Sequence, residues 1–242
     1  MLNRYLTERR RLDDLDALAA LPLFLSVRAA IRAKVTAARA QLSKDHAHVE
    51  QSARDYFALA QRLLRPPPPQ LLAIGGLSGT GKSLLARVLA PEIAPAPGAV
   101  VLRSDVERKA LFGLGETERL PQEAYERKVT DRVYAAIEDK ARRVIAAGHS
   151  AIADAVFADP DERARMGRAA GDAAFHCLFL TADLSLRVAR VGARARDASD
   201  ADEVVARAQE QYDLGALGWA KVDASGDPAE TLRRSRAALA SH

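Results

Sequence analysis

The residues best suited to chemistry lie in one run, Gly76-Leu77-Ser78-Gly79-Thr80-Gly81-Lys82-Ser83, which fits the spacing G-x-x-x-x-G-K-[ST]. A loop of that shape turns successive backbone N–H groups inward and can cradle the oxygens of a phosphate chain. Gly76, Gly79 and Gly81 admit backbone conformations and a close anion approach that a Cβ would hinder. Lys82 offers an ammonium to β- and γ-phosphates and Ser83 a hydroxyl to Mg²⁺. The helix expected to run on through Leu84 places the positive end of its dipole beneath the same anion. Residues 76–84 are thus the predicted nucleotide-binding set.

Carboxylates and guanidinium groups follow at the ends of later apolar runs. Asp105 comes directly after AVVLRS, where its carboxylate can accept the proton of a hydroxyl attacking a γ-phosphate. Arg108, about one turn further, can pair with substrate or phosphate oxygens. The competing role for Asp105 is that of a helix cap. Asp154 ends the run in HSAIADAVF and is the kind of acid that completes an Mg²⁺ shell; its competing role is a turn residue. Arg187, Arg190, Arg194 and Arg196 then crowd a short stretch before DASDAD. Guanidinium groups at that density can close over a triphosphate and neutralise developing charge, or can simply form a solvated helix face. Arg190 and Arg194, at i and i+4, share one face and are the stronger candidates, read with Lys82 and Asp105 as the catalytic set.

Such groups need a scaffold that delivers them to one place. Leu71-Leu72-Ala73-Ile74 reads as a strand buried on both faces, and SLLARVLAPEI after the loop has helical spacing. Further strands are expected at 99–103, within 149–157, at 175–180 and at 219–223, alternating with helices that include 124–147, 183–192, 203–212 and 228–240. Strand, phosphate loop, helix and repeated strand–helix units predict a doubly wound, mainly parallel five-stranded sheet, an α/β phosphate-loop NTPase. Ligands gather at the carboxyl ends of strands in such sheets, where Asp105 and Asp154 fall.

Residues 1–65 read as wholly helical, with an apolar patch around Pro22 and with Val27, Ile31, Val35 and Ala38 along one helical face. Pro66-Pro67-Pro68-Pro69 ends that segment as a stiff spacer, so the expected division is a helical part at 1–65 and a nucleotide domain at 66–242. The net charge is only +4 and the basic residues are dispersed, which argues against nucleic acid and for a nucleotide and small-molecule ligand. The single cysteine, Cys177, excludes an internal disulfide and lies in the apolar run FHCLFL as a core residue. With no bilayer-length apolar stretch and no secretory signal, the reading is a cytoplasmic protein, and the preference for Ala and Arg suggests a GC-rich bacterial source.

Taken together, GGLSGTGKS, VVLRSDVERKALFG, HSAIADAVF and the arginine-DASDAD stretch with Gln209 and Trp219 resemble the kinase-like group of AAA family ATPases, akin to zeta-toxin and polynucleotide-kinase domains. The resemblance covers residues 70–225 and points to the version fused in bacteria to an aminoglycoside-phosphotransferase-like domain. It implies ATP and Mg²⁺ as cofactors, Lys82 and Ser83 as their ligands, Asp105 as base, Asp154 as the strand-end acid, and Arg190 and Arg194 as lid residues. The N-terminal helices are similar to the closing helices of that phosphotransferase-like half. No H-x-D-x-x-x-x-N signature occurs in these residues, so the expectation is a separate C-terminal piece or truncated version whose first 65 residues pack as a helical appendage or dock onto a missing partner such as that domain. The leading expectation is an ATP-dependent kinase acting on a hydroxyl of a small molecule. The alternatives are an ATP-driven switch without an acceptor and a polynucleotide 5′-hydroxyl kinase.

Overall fold

The computed structural model describes residues 1–40, 45–193 and 198–241. Strand β1 (Gln70–Gly76) is central because its apolar run is covered on both faces: Leu71, Leu72, Ala73 and Ile74 are all buried. It pairs in parallel with β3 (Ala151–Asp154) on one side and β4 (Ala174–Thr181) on the other. Strands β2 (Val100–Arg103) and β5 (Ala220–Asp223) complete a five-stranded sheet of order β2-β3-β1-β4-β5, every pairing parallel rather than only most of them. One face carries α7 (Arg127–Ala146) and α8 (Pro160–Ala169), with Val133, Ile137, Val144 and Met166 in its core. The other carries α5 (Lys82–Leu89) and α11 (Pro228–Ala240), with Leu85, Leu89 and Val222 packed there. Helices on both faces are what a fully buried parallel sheet requires. Helix α6 (Ser104–Leu111) follows β2, and α9 (Leu184–Gly192) and α10 (Glu203–Ala208) lie between β4 and β5.

The N-terminal residues are helical, but the packing does not divide at residue 65. Helices α1 (Leu2–Arg9) and α2 (Leu12–Asp16) lie on the sheet domain, where Leu15 and Leu18 share a core cluster with Leu71, Val100 and Ile137. Asn3 accounts for part of this, because its amide nitrogen donates to the Ala99 carbonyl at 3.0 Å and its oxygen accepts from Val101 N–H at 2.8 Å. The side chain thereby occupies the hydrogen-bonding edge of β2, which would otherwise be open to another strand. Helices α3 (Leu21–Ala40) and α4 (His46–Leu63) form a separate hairpin. Its seam is built from Ala29, Ala33, Ala53 and Ala60, with the Ser26 hydroxyl donating to the Ala60 carbonyl at 2.8 Å. The face read from sequence as α3's apolar stripe is the outward one: Val27, Ile31, Val35 and Ala38 are exposed, as is Phe24, because small residues let the two helices approach on the opposite side.

Candidate active site

The phosphate loop leaves β1 at Gly76 and enters α5 at Lys82, with Gly81 at the cap position. Gly79 has φ +89°, and a Cβ there would stand 2.5 Å from the Arg187 carbonyl oxygen, so close packing as well as backbone conformation requires glycine. The loop is braced from α9 and the turn after α10. Buried Gln209 accepts from Ser78 N–H at 2.7 Å, and Arg187, 1% exposed, donates to the Ser78 carbonyl at 3.3 Å and pairs with Glu210. Within the loop the Thr80 hydroxyl donates to the Leu77 carbonyl at 2.8 Å, and Lys82 Nζ curls back to the same oxygen at 3.2 Å. Bracing of the loop by Arg187 and Gln209 does not follow from the motif, since Ser78 and Gln209 are 131 residues apart and only the fold brings them together.

The strand register then assembles the acids. Asp154 lies opposite Ile74 in one ladder and opposite Arg103 in the next, at the carboxyl end of the sheet. It is buried, with Arg103 Nε 3.4 Å from its carboxylate. Asp105 is in the first turn of α6, whose cap position belongs to Arg103, so the carboxylate is not the cap that the sequence also allowed. Burial, reinforced by the charge of Asp154, holds the Asp105 carboxyl above the usual carboxylate range, against the pull of Arg103, Lys82 and a hydrogen bond with Ser199. Asp105 and Asp154 share a cavity of about 220 Å³ with Lys82, Ser83 and Arg108.

The far wall of this cavity was only partly legible. Arg108 is buried, its Nη1 donating to the Ala124 carbonyl at 2.6 Å and to the Thr130 hydroxyl at 3.2 Å, with the guanidinium carbon 5.3 Å from the centre of the Tyr125 ring. Burial and the charge of Asp200 push the Tyr125 phenol up to about 12. Tyr134 on α7 accepts from Phe157 N–H at 3.0 Å and hydrogen-bonds Glu162 on α8, whose carboxyl is raised chiefly by burial. Tyr134 and Glu162 were not singled out in the sequence; their spacing there is that of ordinary amphipathic helices.

Arg190 is elsewhere. Its guanidinium donates to the carbonyls of Ala224 at 2.8 Å and Gly226 at 2.7 Å. It lines a separate and more apolar pocket of about 460 Å³ with Leu84, Val88, Pro228 and Leu232. Ser83 borders both cavities, so the phosphate loop is the partition between them. Arg194, together with Arg196, lies outside the described residues. The segment after them is tied down at Asp200, whose carboxylate accepts from Lys109 Nζ and from Leu120 N–H, both at 2.9 Å. Lys109 is fully buried and also donates to the Glu116 carbonyl at 2.8 Å, so the DASDAD segment and the loop around 114–120 are fastened to the same point of α6.

A five-stranded parallel sheet whose central strand runs through G-x-x-x-x-G-K-S into a helix defines a phosphate-loop NTPase. Residues 71–214 match the AAA domain family, and the chain belongs to it. Among curated proteins it is similar to an uncharacterized protein of Mycobacterium tuberculosis and to one of Mycobacterium bovis, each 33% identical over 205 residues, or 79% of this chain. The match spans 39% of those longer proteins. Among solved structures, a gluconokinase from Sinorhizobium meliloti superposes with a TM-score of 0.50 at 20% identity, over 72% of this chain and 93% of that one. A putative kinase from Chloroflexus aurantiacus gives 0.50 at 22% identity, over 72% of this chain and all of its own. These likenesses establish a kinase-like phosphate-loop fold. Among the described residues no helix is long and apolar enough to cross a membrane.

Proposed function

We propose that the chain is an ATP-dependent kinase that moves a γ-phosphoryl group onto a hydroxyl of a small molecule in the bacterial cytoplasm. The observation that carries this reading is the meeting of Lys82, Ser83, Asp105, Arg108 and Asp154 around one cavity on the phosphate loop. The apolar pocket beside Arg190 suits a nucleobase and ribose, the loop holds the phosphates, and the terminal phosphate reaches the smaller cavity. Arg190 then serves nucleoside binding, and Lys82 takes the charge developing on the phosphoryl group. The acceptor oxygen bonds to phosphorus as the bond from phosphorus to the β–γ bridging oxygen breaks; the hydroxyl proton passes to Asp105 and ADP leaves. The raised proton affinity of Asp105 suits a base, since efficiency rises as the base's pKa approaches working pH.

The residues present fit Mg²⁺: the Ser83 hydroxyl and the buried Asp154 carboxylate are hard oxygen donors bordering the same cavity. One or two protein oxygens, with phosphate oxygens and water, are what that ion takes. When bound it would neutralise phosphate charge, and Ser83 and Asp154 would be the residues that hold it. The test is transfer from γ-labelled ATP to a pool of cell metabolites, beside calorimetric ATP binding. Wild type should label an acceptor, and Asp105→Asn should bind ATP normally yet label nothing. Binding with hydrolysis but no labelled acceptor would favour a switch, and labelled oligonucleotide a nucleic-acid kinase.

The exposed stripe Phe24, Val27, Ile31 and Val35, with relatives much longer than this chain, supports docking of the α3–α4 hairpin onto a phosphotransferase-like domain. Replacing Phe24 and Ile31 by Ser should abolish that association in a sedimentation assay; unchanged association would refute it.

A further inference from the structure

The acceptor cavity has a charge pattern that narrows what can enter it, an inference that rests on the kinase reading. Among the described residues its lining has three carboxylates, Asp105, Asp154 and Glu162, against two cations, Lys82 and Arg108, and Arg103 lies 3.4 Å from the Asp154 carboxylate and offsets that acid. Lys82 and Asp154 are committed to the nucleotide and its ion. Arg108 spends Nη1 on the Ala124 carbonyl and the Thr130 hydroxyl, and its charge rests over the Tyr125 ring. What faces an acceptor from the described residues is therefore two acids, Asp105 and Glu162, one partnered guanidinium, and neutral hydroxyl and amide groups. An acceptor bearing a carboxylate, phosphate or sulfate would add a further anion beside a triphosphate and two carboxylates in a partly enclosed space.

Hydroxyl groups meet the opposite situation. A carboxylate offers two oxygens to two donors, and charge-assisted hydrogen bonds of that kind are among the stronger polar contacts. Glu162 is 8% exposed and is held by hydrogen bonds from the Tyr134 hydroxyl and the Asp159 backbone, so its direction is fixed. Tyr125 and Tyr212, each about half exposed, add ring faces and hydroxyls, the mixed surface that the C–H faces and hydroxyls of a polyol need. At about 220 Å³ the cavity takes a terminal phosphate with a molecule of monosaccharide size.

We propose that Glu162, fixed by Tyr134, receives the hydroxyls of a small polyol or sugar that carries no anionic group, and that the cavity rejects anionic acceptors. The test uses MgATP with uncharged polyols (glucose, ribitol, myo-inositol) and anionic ones (gluconate, glucuronate, glucose 6-phosphate), with phosphorylated product read by mass spectrometry. Wild type should phosphorylate an uncharged member and no anionic one. Glu162→Gln should raise the KM for that acceptor roughly tenfold or more while the KM for ATP stays put. Labelling confined to anionic acceptors, or an unchanged acceptor KM in Glu162→Gln, overturns the inference and leaves the kinase reading standing. If MgATP binds and neither set is phosphorylated, the kinase reading falls and this inference with it.

Discussion

Replacing Asp105 by Asn should make the chain more stable at neutral pH and inactive. Folding carries this carboxyl out of water and sets it beside Asp154, so its proton affinity is higher in the folded chain than its ordinary value of 3.8. Well below that value both folded and unfolded chains are protonated and the substitution gains nothing. As pH rises, the unfolded chain ionises first; the penalty grows until pH passes the raised folded-state value and is complete above it. Each pH unit of upward displacement costs about 1.4 kcal/mol. In a chain of this size that is a rise of roughly 3–6 °C in Tm on substitution. The assay is thermal unfolding of both proteins from about pH 8 to about pH 4, with the Asn variant's advantage closing as pH falls. Transfer should drop by about 10²–10⁴-fold at every pH. An Asn variant that is no more stable at neutral pH, or whose advantage ignores pH, would refute the reasoning.

Three further outcomes follow from particular contacts. Gly79→Ala forces a Cβ against the Arg187 carbonyl at a positive φ, and should cost about 1–3 kcal/mol in urea unfolding and weaken ATP binding. Asp200→Ala leaves the fully buried Lys109 ammonium without its acid; a loss of about 3 kcal/mol is expected, with a raised acceptor KM because the loop around 114–120 loses its tie. Asn3→Ala strips the edge of β2 of two hydrogen bonds, so hydrogen exchange at the Val101 amide should accelerate and stability fall by about 1–2 kcal/mol.

Much of the sheet was legible because its signals are local. An apolar run as short as Leu71–Ile74, stopped by a glycine-rich turn, reads as a strand buried on both faces, and that turn fixes where anions go. Parallel pairing then carries Asp154 and Asp105 to the same end as Lys82 without any further instruction. What could not be read depends on tertiary packing. Arg190 and Asp105 were assigned to one lid-and-base arrangement, yet Arg190 fastens the chain after β5 on the other side of the phosphate loop. Leu15 and Leu18 enter the sheet domain's core, whereas Val27, Ile31 and Val35, with equally regular spacing, face outward because alanines make the closer seam with α4. Helical periodicity identifies a face and leaves open what covers it.

Where a nucleotide's last phosphate sits decides whether Asp105 can act as a base. A crystal structure with Mg²⁺ and a non-hydrolysable ATP analogue should show the base beside Arg190, the γ-phosphate on Lys82, and Asp105 within about one hydrogen-bond length of the position an attacking hydroxyl must take. A γ-phosphate turned away from the cavity of Asp105 and Asp154, or an analogue bound elsewhere, would contradict it.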